Sequence, residues 1–176
     1  MFDEAFKHLL KHEGGFTSDS RDPGNAGGTS TNLGVTQMVW ESWIGRKSNE
    51  KEMRALTPEK VAPLYKKKYW DIVKGDDLPS GVDYCVFDAA VNSGPGRAAK
   101  WLQEAVGAFP DGAIGPKTLA AVNAMNPIDV INAMCDTRQS FLEELVTFRI
   151  FGRGWTRRVS EVRQTALGLA NETEGQ

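Results

Sequence analysis

Proline and its neighbours punctuate this chain into helices. Thr57 and Asn126 stand as N-caps immediately before Pro58 and Pro127, while Pro95 and Pro116 open helices directly behind glycine. At the first helical position proline loses nothing: the N–H it lacks would have no partner there, and its φ is already helical. Apolar residues follow each start at helical spacing. Strand-like alternation is missing except for a possible short hairpin within residues 16–36. The chain therefore reads as mostly α.

The helices can be placed in order. Phe2, Ala5, Phe6, Leu9 and Leu10 share one face of a first helix. Thr36 caps a second, which carries Met38, Val39, Trp40, Trp43 and Ile44 and ends at Gly45. Trp40 and Trp43 share a face, and their spacing favours core packing over stacking on a ligand. Residues 45–56 read as a polar surface connection. From Pro58 a helix runs to about Trp70, with Pro63 bending it or delaying its start. Asp76–Gly81 is a turn and a candidate lobe boundary. Behind it a helix carries Val82, Cys85, Val86, Ala89 and Ala90, and the helix from Pro95 carries Ala98, Trp101, Leu102, Ala105 and Val106. The helix from Pro127 is expected to continue through Phe148 and break at Phe151–Trp155. A final helix carries Val159, Val162, Ala166 and Leu169, and Asn171–Gln176 should fray.

Chemistry concentrates after the first helix, in His12-Glu13-Gly14-Gly15-Phe16. Glu13 continues the apolar face of Phe6 and Leu9. A carboxylate there is partly desolvated, which favours its protonated form, as a general acid requires. Gly14 and Gly15 are expected to stop the helix through a left-handed C′ residue and to leave no side chain in front of Glu13. The following loop offers Asp19, Asp22 and several hydroxyls. An acid, a second carboxylate and hydroxyls around one cleft suit glycoside hydrolysis. Gln37, next to this loop, is a candidate hydrogen-bond donor to sugar. Asp88 and Asn92 lie i, i+4 on one helix and fit either a packing role or a cleft lining.

His12–Phe16, Asp22-Pro23-Gly24 and Thr31-Asn32-Leu33-Gly34-Val35-Thr36 resemble the signature of the glycoside hydrolase family 108 N-acetylmuramidases. These are lysozyme-like, peptidoglycan-cleaving enzymes common in phages and prophages. The resemblance implies that Glu13 is the catalytic acid. The Glu-Asp-Thr order is similar to that of phage-type lysozymes and implies roles for Asp22 and Thr31, with Thr36, Gln37 and Asn92 as substrate contacts. One departure is visible: Asn25-Ala26-Gly27-Gly28-Thr29-Ser30 stands where the family runs almost directly from Asp-Pro-Gly-Gly to Thr-Asn, so Thr29 competes with Thr31. Phe87–Pro95 and Asp111–Leu119 resemble the predicted peptidoglycan-binding segment of the same family. The implied layout is a catalytic lobe, 1–78, and a helical peptidoglycan-binding lobe, 79–176, packed as one compact unit. The implied substrate is the glycan strand of peptidoglycan, cleaved between N-acetylmuramic acid and N-acetylglucosamine. A lytic transglycosylase acting on the same bond, and a non-catalytic binding protein, are the alternatives.

Composition narrows the partners. Charged residues make up 25%, the net charge is −2 and the pI is near 5.7. Nothing here steers the chain toward nucleic acid or anionic surfaces. No apolar run is long enough for membrane insertion, and the N-terminus does not resemble a signal peptide. The resemblance implies holin-type release to the periplasmic wall, and the chain is expected to act as a monomer. His8 and His12 are i, i+4, but Leu9 occupies the place where a metalloprotease helix needs glutamate, and no third ligand is evident. Neither a metal nor a cofactor is expected. Cys85 and Cys135 read as buried free thiols.

Overall fold

The computed structural model describes residues 1–176. Nine α-helices and one two-stranded antiparallel ribbon make up the regular structure: α1 Phe2–Leu10, β1 Thr31–Asn32, β2 Val35–Thr36, α2 Gln37–Ile44, α3 Glu50–Arg54, α4 Pro58–Tyr65, α5 Val82–Ser93, α6 Pro95–Val106, α7 Pro116–Asn123, α8 Pro127–Glu143 and α9 Phe148–Glu174. It is the mostly helical, lysozyme-like class expected. Contacts divide the chain into two units, Phe6–Lys67 and Met1–Ala5 with Lys68–Gln176. The division falls ahead of the turn at Asp76–Gly81.

In the unit Phe6–Lys67 the helix starts behave as the sequence dictates. Thr36 Oγ1 accepts from Val39 N at 3.2 Å, Thr57 Oγ1 accepts from Lys60 N at 3.3 Å, and Gly45 closes α2 in the left-handed conformation. Residues 45–56 are more than a connection. Asn49 caps α3 and Met53 is fully buried, so a short capped helix anchors this stretch. Pro63 lies inside α4 without ending it, and the backbone widens into a π turn at Lys66–Trp70. Only one N–H is lost at Pro63, and the N–H of Lys66 still reaches Ala62 O and Pro63 O. Phe6, Leu9, Val35, Met53, Leu56, Val61, Leu64 and Tyr65 form the buried apolar set of this unit. The Phe6 and Tyr65 rings meet at 5.3 Å.

The ribbon pairs Thr31 with Thr36 and Asn32 with Val35. Its two-residue turn, Leu33-Gly34, has positive φ at both positions, 51° and 75°. That is the turn hand whose twist matches a β-ribbon. Left-handed backbone costs a non-glycine residue about 1–2 kcal/mol. Two side-chain hydrogen bonds hold the ribbon in place: Tyr65 Oη donates to Leu33 O at 2.8 Å, and Asn32 Nδ2 donates to Met53 O at 2.8 Å.

In the second unit α5 is the central helix, buried from Val82 to Ala90 and packed by α6, α8 and α9. Phe2, Trp70 and Phe87 meet edge-on at 5.4–5.8 Å. The Asp88 carboxylate is fully buried and receives Arg138 at 2.8 Å and Arg158 at 3.0 Å. Burial pushes its carboxyl up, but the two guanidiniums outweigh this and hold it below the ordinary carboxylate range. Cys85 and Cys135 are buried free thiols with sulfurs 3.6 Å apart. The Cys135 sulfur and burial push the Cys85 thiol up.

Two expected boundaries move. The long helix breaks after Glu143, not at Phe151–Trp155, which lies inside α9. Gly152 is a packing glycine there: a Cβ on it would come within 2.8 Å of the Phe148 ring. Asn171–Glu174 continue α9 rather than fraying.

Candidate active site

Glu13 stands beyond α1, not at its last turn. The helix tightens at its end through Lys11 N to His8 O, 3.2 Å, and His12 N to Leu9 O, 2.9 Å, and a bend at Glu13 follows. Neither Gly14 nor Gly15 has positive φ, so the expected left-handed cap is not formed. Their second expected service is met: a Cβ on either would meet nothing within 4 Å. The half-buried Glu13 is thus followed by bare backbone.

The Glu13 carboxylate lies against the ribbon turn. A Cβ built on Gly34 would come to 2.5 Å from Glu13 Oε2, 3.0 Å from its Cδ and 2.5 Å from Tyr65 Oη. Both oxygens crowd the same face of Gly34, which must be glycine for its φ and for this approach. Tyr65 is only 2% exposed, and its bond to Leu33 O fixes its hydroxyl. In the sequence, helical spacing from Pro58 puts Tyr65 on the inward face with Val61 and Leu64 and says nothing of its hydroxyl. Its phenol, which needs a partner when buried, was the available signal.

A second cluster forms around Gly24. Asp22 caps a short 3₁₀ segment, Pro23–Gly28, with Oδ1 accepting from Gly24 N at 2.9 Å. A Cβ on Gly24 would meet Thr36 Cγ2 at 3.0 Å, Asp22 Oδ1 at 3.3 Å and Thr31 Oγ1 at 3.4 Å. Asp22, Thr31 and Thr36 are therefore brought together. Thr31 Oγ1 donates to Asn25 Oδ1 at 2.7 Å. Asn25 is fully buried and donates in turn to Asp19 O at 3.0 Å. With its proton committed to Asn25, the Thr31 hydroxyl has acceptor lone pairs to offer a donor such as water. Asn25 belongs to the stretch that departs from the family pattern, and nothing in the sequence marked it as a support.

The alternatives separate here. Asp19 is held by Arg21 through both carboxylate oxygens, and the guanidinium holds its carboxyl below the usual carboxylate range. Thr29 Oγ1 closes its own loop on Ala26 O at 2.8 Å. Asp22 and Thr31, not Asp19 and Thr29, share the Gly24 cluster. The ribbon links this cluster to Glu13. Gly34 in the turn and Thr36 in β2 are two residues apart, a rise of roughly 7 Å if extended.

Other expected contacts fare differently. Gln37 Nε2 is spent on Glu41 Oε1 and Ser48 O, both at 3.2 Å; it ties α2 to the following loop. Helix α2 buries none of its residues, so Trp40 and Trp43 are half-buried rather than core. Asn92, in the other unit, accepts from Arg138 Nη2 at 3.0 Å. Asp88 and Asn92 clamp the same arginine, which is the packing alternative. His8 Nδ1 lies 3.4 Å from Lys11 Nζ, and no three His, Cys, Asp or Glu side chains gather to hold a metal ion. No helix is long and apolar enough to cross a membrane.

Comparison with known proteins identifies the family. The family model described as Glycosyl hydrolase 108 matches residues 6–94, and one described as Predicted Peptidoglycan domain matches residues 97–160. The solved structure titled Structure of Brucella abortus SagA is similar, with 46% identity and a TM-score of 0.83 over 96% of this chain and 95% of that one. No curated protein matches the chain. The residues around Glu13 and the ribbon lie inside the first match, and the chain belongs to the glycosyl hydrolase 108 family, glycoside hydrolases that act on peptidoglycan.

Proposed function

We propose that the chain is an N-acetylmuramidase that hydrolyses the β-1,4 bond between N-acetylmuramic acid and N-acetylglucosamine. Glu13 protonates the leaving oxygen. Asp22 and Thr31 hold the attacking water, Thr31 as an acceptor beside the carboxylate. The observation that supports this most is the setting of Glu13: a half-buried carboxylate pressed with Tyr65 Oη on Gly34, followed by two glycines that leave its front bare. Residues 1–78 supply this chemistry and residues 79–176 bind the polymer. One copy suffices, because the candidate residues of the Gly34 and Gly24 clusters all come from Phe6–Lys67 of one chain. The phage-like resemblance favours holin-type release to the periplasmic wall.

Dye release from labelled Gram-negative sacculi tests the role of Glu13. Glu13→Gln removes the proton donor with little change of shape. It should melt like the wild type and lose activity by about 10²–10⁴-fold, the usual worth of general acid catalysis. A folded Glu13→Gln protein with full dye release would overturn the assignment.

A further inference from the structure

We propose that the outer row of α9, Arg149, Arg153 and Arg157, binds the carboxylates of peptidoglycan stem peptides. The inference rests on the peptidoglycan-hydrolase reading and names what the helical region recognises. Five arginines near this helix face sort into two kinds. Arg158 and Arg163 are paired, with Asp88 and with Asp136 and Asn132. Arg149, Arg153 and Arg157 are exposed and make no ion pair or hydrogen bond within the protein. They follow one another at i, i+4 and i+8, a ladder with steps of about 6 Å.

The ladder lines an open groove of about 840 Å³ together with Phe148, Ile150 and Gly152. The Phe148 ring lies close over Gly152 and 6.3 Å from the Trp155 ring. Ile150 is 76% exposed. An apolar floor beside a row of free guanidiniums suits a short acidic peptide: aliphatic side chains on the floor, carboxylates in bidentate contact with arginine. Sugar rings offer no such charges. Stem peptides do, at the free α-carboxylate of the γ-linked glutamate, on the diamino acid and at the terminal residue. The match to the Predicted Peptidoglycan domain runs to residue 160 and so includes all three arginines. The opposite side of α9 is packed through Val159, Val162 and Ala166, which leaves the ladder as the side open to a partner.

The test is co-sedimentation in the Glu13→Gln background, so that binding is read without turnover. The probes are intact sacculi and sacculi whose peptide carboxylates have been capped as neutral amides, which keeps glycan and peptide but removes the anions. Substituting Arg149, Arg153 and Arg157 together by alanine should weaken retention on intact sacculi at least tenfold and leave retention on the amide-capped sacculi unchanged. The Lys triple variant should fall between, since ammonium keeps the charge without the fork. Equal retention of the Ala triple variant and its parent on intact sacculi would overturn the proposal. So would an equal loss on both probes. Should the Ala triple variant melt early, Arg153→Glu decides in the same assay, by the same tenfold criterion. Release of fragments by the wild type, measured in parallel, reports separately on the hydrolase reading.

Discussion

Replacing Gly34 by alanine places a methyl group where two oxygens already stand. The new Cβ would lie 2.5 Å from both Glu13 Oε2 and Tyr65 Oη. Ordinary contact needs roughly 1 Å more, so the carboxylate, the phenol or the turn must move by about that much. Tyr65 is held by Leu33 O and by its burial, whereas the half-buried Glu13 stands in a bend outside α1, directly ahead of Gly14 and Gly15, so Glu13 yields. A displacement of about 1 Å in a catalytic group costs about 100-fold in rate. Stability falls as well. The left-handed φ of 75° costs alanine about 1–2 kcal/mol, and overpacking adds about 1–3 kcal/mol. For a chain of this size that lowers Tm by ~5–12 °C. Dye release at a temperature where circular dichroism shows the variant folded separates the two effects. Adding Tyr65→Phe removes one of the two colliding oxygens and should recover part of the stability but not the activity. Near-wild-type turnover by folded Gly34→Ala would refute the claim that the turn positions Glu13.

Three further outcomes follow from other contacts. Gly24→Ala, whose Cβ would approach Thr36 Cγ2 at 3.0 Å without a left-handed φ, should cost about 1 kcal/mol and only several-fold in dye release. Thr31→Val leaves Asn25 Oδ1 buried without its donor, so urea unfolding should show a loss of about 1–3 kcal/mol, with a rate deficit larger than that of Gly24→Ala. Asp88→Asn strands Arg138 and should destabilise the protein by about 3–5 kcal/mol. The sign of the pH dependence follows from the native Asp88 carboxyl being held below the ordinary carboxylate range by Arg138 and Arg158. Its stabilisation is fully present above the unfolded aspartate value, about 3.9, and is lost as pH falls through the lower native value. Acid titration of Tm should therefore be steeper below that value for the wild type than for Asp88→Asn.

Helix starts were legible because they are local. Thr36, Asn49, Thr57 and Asn126 cap through their own side chains, and spacing alone defines the faces behind them. The Asn49 start was nevertheless passed over, since α3 is too short for apolar periodicity to show. Helix ends were less legible. Gly14 and Gly152 look like breakers, yet one leaves space beside Glu13 and the other admits the Phe148 ring. That difference depends on neighbours distant in the fold. The same limit applies to the site. Glu13, Asp22 and Thr31 could be named from order and resemblance. Tyr65 and Asn25 reach the ribbon by tertiary contacts from positions whose spacing says only "buried" or "loop". Gln37 and Asn92 show the converse: a polar side chain picked out by its place in the sequence can also be engaged by the fold, here by Ser48 and Arg138.

The most direct test of the central claim is mass spectrometry of soluble fragments released from purified peptidoglycan in heavy-oxygen water, wild type beside Glu13→Gln. A muramidase that uses Glu13 as its acid yields reducing muramic-acid ends carrying one heavy oxygen, and these ends vanish in the variant. Anhydro-muramic ends without heavy oxygen, or ends that persist in folded Glu13→Gln, would contradict the account.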